Sequence, residues 1–145
     1  MHEFPHHYHV DAEAEAEGNV LVSVENLPII NCAAPVEFDG PGDQWSPEHL
    51  LTASVANCFI LTFRAVAQAS KVEWHDLEVS VTGTLDKVER TMKFTAFNIK
   101  ATLGVPASTD PEKAKRAMAR AEANCMITAS LSAETHLEAE VVAGD

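Results

Sequence analysis

The first 63 residues contain neither lysine nor arginine, yet they carry ten carboxylates and five histidines. Over the whole chain 10 Lys+Arg face 22 Asp+Glu, a net charge of −12. Such a balance opposes docking on phosphate backbones or anionic lipid, which excludes nucleic acid and membrane as partners. Cysteine is scarce as well. Cys32, Cys58 and Cys125 are 26 and 67 residues apart, an odd number without the spacing of a disulfide framework or a zinc site. Long apolar runs are missing: the longest uncharged apolar stretch, His49–Phe63, has 15 residues and includes Thr52, Ser54 and Asn57. A bilayer span needs about 20, so this stretch reads as a buried core helix. The start, MHEFPHHYHVDAEAEAEG, lacks the cationic and apolar regions of a signal peptide, and a cytoplasmic location is the expectation. No repeat or linker divides the 145 residues, so one domain over 1–145 is expected.

What is present alternates. Tyr8, Val10, Ala12, Ala14 and Ala16 are separated by acids or His, the period of a strand. Gly18-Asn19 reads as a two-residue turn, after which Val20, Val22 and Val24 continue the hairpin. Residues 27–44 are rich in Pro, Gly, Asn and Asp, a loop with a short strand expected at 36–38. Ser46-Pro47-Glu48 supplies a cap, a first-turn proline and a first-turn acid for a helix expected to run to about Ser70. Leu77, Val79, Val81, Gly83 and Leu85 alternate with polar residues, and a turn near 87–90 leads into a partner strand. Its apolar phase slips from Met92, Phe94 and Ala96 to Phe97, Ile99, Ala101 and Leu103, which predicts a β-bulge near Ala96-Phe97. Asp110-Pro111-Glu112 opens a second helix, and Leu137, Ala139 and Val141 mark a last strand. The order ββ-α-ββ-α-β predicts an α+β fold, with antiparallel sheets and two core helices.

Helical periodicity puts Cys58 on a face with Leu51, Ser54, Val55, Leu61 and Thr62. Cys125 ends the apolar stripe Ala114, Ala117, Met118, Ala121 of the second helix. Both thiols therefore face inward, which simple packing also explains, since free cysteine is among the most buried residue types. The run GPGDQWSPEHLLTASVANCFILTF, with Glu48 ten residues before Cys58, resembles the core signature of the OsmC/Ohr family (osmotically inducible protein C and organic hydroperoxide resistance proteins). AEANCMITASL, around Cys125, is a second match, and the element order agrees over nearly the whole chain.

The resemblance implies an intertwined homodimer with sites at the subunit interface, and a thiol peroxidase acting on organic hydroperoxides in oxidative-stress defence. By that likeness Cys58 is the peroxidatic thiolate, Cys125 resolves its sulfenic acid as a disulfide, and a dithiol reductant restores both. Leu51, Phe59 and Met126 are the apolar side chains expected to line the site. In the family's active members an arginine stands near the reactive cysteine, paired with the carboxylate that matches Glu48. Here the first Lys or Arg is Arg64, about 240° around the helix from Cys58. Without a cation, Glu48 would hold the Cys58 thiol up and slow it. A protonated histidine among His2, His6, His7 and His9, or a cation from a second chain, would repair this. Those histidines otherwise read as a solvated strand face, so no metal and no cofactor are expected. Glu48 also serves simply as a first-turn acid, and Cys32 has no counterpart in the motif. Trp45 and Trp74 read as core or interface anchors. The alternative is a binding module of the same fold, its cysteines merely packed, holding an apolar small molecule at the dimer interface.

Overall fold

The structure is a computed structural model that describes residues 1–144. The chain divides into two compact units, Met1–Leu50 and Leu51–Asp145.

In the first unit β1 (Asp11–Glu13), β2 (Val20–Ser23) and β3 (Ile30–Cys32) form an antiparallel sheet in the order β1-β2-β3. The expected hairpin is there but not its tight turn. Ala12 pairs with Val22 and Glu13 with Leu21, so residues 14–19 make the connection. A two-residue Gly18-Asn19 turn would have set Glu15 opposite Val22 and Glu17 opposite Val20. The observed register instead matches Ala12 to Val22 and Val22 to Ile30 on one face. The strand expected at 36–38 is also corrected. It is a 3₁₀ turn, Val36–Phe38, in which the amides of Phe38 and Gly40 both donate to the Pro35 carbonyl at 2.9 Å. Gly40 is required there, because a Cβ at this position would fall on the backbone carbonyl of Ala34. The pairing strand of this loop is β3, six residues earlier.

Helix α1 (Pro47–Ser70) starts as its sequence dictates. The His49 amide donates to Ser46 Oγ at 3.0 Å, the third-position bond of an N-cap, and Ser46 is fully buried. At its far end Val72 N–H donates to Ala67 O (2.8 Å) and Lys71 N–H to Gln68 O (3.3 Å), with Lys71 at φ 57. That double bond pattern is a Schellman motif, and its hydrophobic partners Ala67 and Val72 are both buried. By length and composition α1 could cross a membrane. Instead Val55, Phe59, Phe63 and Ala67, spaced four apart, form the stripe that joins the core of the second unit.

That core lies on a three-stranded sheet ordered β4-β5-β6. β4 (Asp76–Val88) and β5 (Thr91–Val105) are a long antiparallel hairpin closed by Glu89 and Arg90, both at positive φ as a type I′ turn requires. Thr84 pairs with Ala96 but Leu85 with Phe94, so Thr95 is the extra residue of a bulge, one position before the expected place. It swaps which residues face inward: Phe97, Ile99, Ala101, Leu103 and Val105 are buried after it. Phe94 and Phe97 stack across it at 5.0 Å.

β6 (Glu134–Ala143) pairs with β5 in parallel, so the second sheet is mixed rather than antiparallel. A parallel neighbour needs a crossover, supplied by α2 (Pro111–Ala123) and a further short helix, α3 (Met126–Ala129). Asp110 caps α2, its carboxylate accepting from the Glu112 amide at 3.0 Å, and Ala114, Ala117, Met118 and Ala121 bury the inner face. Trp74 meets Phe63 edge-on at 5.3 Å in this core, whereas Trp45 is half exposed at 53%. The fold is thus α+β, with two principal helices, one antiparallel sheet and one mixed sheet.

Candidate active site

The second unit brings two of the three cysteines together. Cys58 lies on α1 one residue before Phe59, at the edge of the buried stripe, and is half-buried. Thr62, one turn on, places its hydroxyl 3.7 Å from the Cys58 sulfur. Cys125 is 2% exposed. It does not end α2, which stops at Ala123; it is the extended N-cap residue of α3. Its side chain makes no cap hydrogen bond; Thr128 Oγ1 donates to the Cys125 carbonyl at 3.2 Å.

The electrostatics of the two thiols diverge. Burial pushes Cys58 up, but hydrogen bonds outweigh it: from the Cys125 thiol, the Ile127 amide, the Thr62 hydroxyl and the Met126 amide, in that order. The net result is a Cys58 thiol below its ordinary range. Cys125 moves the other way. Burial raises it most, and its role as donor to Cys58 raises it further, against a partial offset from the Thr128 and Ile127 groups. The pair is therefore polarised, with Cys58 the better acceptor and Cys125 the proton holder.

This arrangement corrects the expectation of a thiol held up for want of an arginine. Neutral donors lower the Cys58 thiol, and among the described residues no Lys, Arg or His is a cause of the shift. Met126 and Ile127 do so through their backbone amides, which side-chain reading could not find. The one signal was the break between Asn124 and the apolar Met126-Ile127, and a cysteine does not announce a cap as Ser, Thr, Asp or Asn would. Of the expected apolar lining, Phe59 is fully buried in the core, Leu51 is half-buried and Met126 is 72% exposed.

Glu48 belongs to the first unit. With Val20, Val22, Cys32, Pro35, Phe38 and Leu50 it lines a cavity of about 510 Å³ whose walls are mostly apolar. Cys32, 4% exposed, is part of that wall. The N-terminal histidines bond locally: His6 to the His2 carbonyl at 3.0 Å and His9 to the Asp11 carboxylate at 3.1 Å. Among the described residues no three His, Cys, Asp or Glu side chains gather as a metal would require.

Residues 40–140 match the sequence model of the OsmC-like protein family. The chain belongs to that family. A curated relative of this OsmC-like protein is the uncharacterized protein YmaD of Bacillus subtilis, 29% identical over 145 residues and covering 96% of this chain and 97% of the relative. An OsmC-like protein of unknown function from Vibrio cholerae has the same fold, with a TM-score of 0.85 at 14% identity over 93% of this chain and 99% of that one. So has an organic hydroperoxide resistance protein from Legionella pneumophila (TM-score 0.75, 21% identity, 96% and 98% covered). A putative organic hydroperoxide resistance protein from V. cholerae, with captopril bound in one of its active sites, gives a TM-score of 0.70 at 23% identity over 97% and 95%.

Proposed function

We propose that this OsmC-like protein is a thiol peroxidase that reduces organic hydroperoxides through Cys58 and Cys125. The observation that carries the reading is the polarised thiol pair: hydrogen bonds, that of Cys125 first, lower Cys58 against its burial, while burial and then the bond to Cys58 raise Cys125. The hydroperoxide resistance proteins among its structural relatives support the substrate class. The Cys58 thiolate attacks the terminal peroxide oxygen; an S–O bond forms, the O–O bond breaks and the alkoxide leaves as the alcohol after taking a proton. Cys58 is then a sulfenic acid. Cys125 attacks that sulfur, water departs, and a disulfide forms. A dithiol reductant returns both cysteines to thiols. Because the same thiol that donates to Cys58 later closes the disulfide, resolution needs little movement.

The homodimer belongs to this reading. Leu61 on α1 and Met126 beside the thiols are 54% and 72% exposed, and Phe4, Tyr8, Ile29 and Phe38 in the first unit are also uncovered. Large apolar side chains left in water favour a second copy. Sedimentation should give about twice 15.7 kDa.

One equivalent of cumene hydroperoxide tests the chemistry. Loss of the Cys58 and Cys125 thiols together, reversed by dithiothreitol and abolished in Cys58→Ser, is the expected outcome; thiols unchanged after hours would reject it. A second reading has its own observation, the apolar cavity of the first unit with Glu48 in its wall. In that reading the protein binds an apolar small molecule and the cysteines only pack, and unreactive thiols alongside saturable binding of an apolar dye would favour it.

A further inference from the structure

Four of the ten cationic residues fall within eight positions of α2: Lys113, Lys115, Arg116 and Arg120. Lysine and arginine on an exposed helix face ordinarily serve only solvation and helix propensity. Two features set this group apart. Lys113, Arg116 and Arg120, related by steps of three and four, line one cavity of about 210 Å³ together with Ala117 and Ser70, the last residue of α1. And among the described residues no carboxylate forms an ion pair with them. Among the described residues the ion pairs are His9–Asp11 and His136–Glu134, and neither involves a lysine or arginine. Glu112 stands four residues before Arg116, the favourable spacing for a helical pair, yet does not form one. The terminal carbonyls of α1 at Ala67 and Gln68 are already taken by the Val72 and Lys71 amides. Three like charges thus share a small space in a protein with a twofold excess of acids.

We infer that this cavity is a binding site for the phosphate or pyrophosphate group of a small soluble molecule. Charge sets the class: a single carboxylate would answer one of three cations, whereas a phosphate group carries nearly two negative charges and a pyrophosphate more. Arginine forks match phosphate oxygens two at a time, and the lysine adds a point charge. Size agrees. A volume of about 210 Å³ equals roughly seven water molecules at about 30 Å³ each, enough for the anion and less than the 300–1,000 Å³ of a drug-sized pocket. The organic part of the ligand therefore stays outside. The net charge of −12 disfavours a polyanionic polymer or membrane as the source, leaving a small molecule.

The test is a titration of the full-length protein with inorganic pyrophosphate, inorganic phosphate, glycerol phosphate and acetate at constant ionic strength. Calorimetry and amide chemical shifts of residues 113–120 are the readouts. Pyrophosphate should bind saturably and more tightly than phosphate, and acetate should not saturate. Glycerol phosphate equal to phosphate would mean that only the phosphate is read, and tighter binding that the organic body adds contacts. Arg116→Gln and Arg120→Gln, which keep helix propensity, should each weaken pyrophosphate by about tenfold or more, the loss expected for a charge-assisted hydrogen bond. Arg116→Lys should weaken it less, and Lys87→Gln on the β4–β5 hairpin should leave it unchanged. Non-saturating shifts, equal response to acetate, or equal losses in Lys87→Gln and Arg116→Gln would overturn the assignment.

Discussion

The hydrogen bond from Cys125 to Cys58 is probed by comparing Cys125→Ser with Cys125→Ala in a Cys32→Ser background. Both variants lack the resolving thiol, so a mixed disulfide formed on Cys58 persists and can be counted. Only serine keeps a donor toward the Cys58 sulfur. Of the groups that lower Cys58, the Cys125 thiol comes first, ahead of the Ile127 amide, the Thr62 hydroxyl and the Met126 amide. A hydrogen bond to a charged group is worth about 1.5–3 kcal/mol, and partial exposure of Cys58 puts this one at the lower end. Losing about 1.4 kcal/mol leaves roughly tenfold fewer thiolates at neutral pH. Each remaining thiolate is more basic and hence about threefold more nucleophilic, for a Brønsted slope near 0.4–0.5. The alanine variant should therefore react with an aromatic disulfide reagent about threefold more slowly than the serine variant at pH 7. In strong alkali, where both are fully ionised, the order should reverse by a similar factor. The assay is stopped-flow absorbance from pH 5 to 11, with the modified peptide identified by mass spectrometry. Superimposable profiles, or alanine faster at every pH, would refute the idea that the Cys125 thiol holds Cys58 below its ordinary range.

The same electrostatics predict that wild-type Cys58 is labelled at a lower pH than an unperturbed thiol and stays reactive as pH falls until its depressed pKa is crossed, whereas Cys125 is labelled last; site-resolved alkylation that finds Cys125 first would contradict it. Deleting the N-terminal histidines, or changing His2, His6, His7 and His9 to Gln, should leave the Cys58 profile unchanged, because none of the causes of its shift is a histidine. Phe59→Ala removes a fully buried ring from the α1 stripe and should destabilise the second unit by about 3–5 kcal/mol in chemical denaturation, a loss below 1 kcal/mol arguing against that packing. Asp110→Ala should cost about 1 kcal/mol by loss of the α2 cap bond to Glu112. Gly40→Ala should disorder the 3₁₀ turn around Val36–Phe38, seen as faster proteolysis in residues 33–45, since its Cβ meets immovable backbone.

The start of α1, the α2 cap, the β4–β5 hairpin and the bulge were legible in the sequence, because each is dictated by residues within a few positions of one another. Ser46-Pro47-Glu48 caps a helix wherever it stands, and a phase slip in an alternating strand has no other resolution than an extra residue. The first unit was legible only in outline. Its alanine and glutamate alternation fits several registers, and the one adopted sets Ala12 opposite Val22 and Val22 opposite Ile30. The parallel β5–β6 pairing was likewise invisible, since an isolated strand pattern does not carry its direction.

The candidate site divides the same way. Periodicity turned Cys58 and Cys125 inward, and the motif likeness singled out Cys58 as the nucleophile, but what lowers the Cys58 thiol was not in the side chains or in the missing arginine. It was decided when α2 ended at Ala123 and the chain restarted as α3, so that the amides of Met126 and Ile127 converge on Cys58. Backbone donors belong to every residue and to no sequence motif. Only the fold, by fixing where a helix breaks, determines which atom they serve.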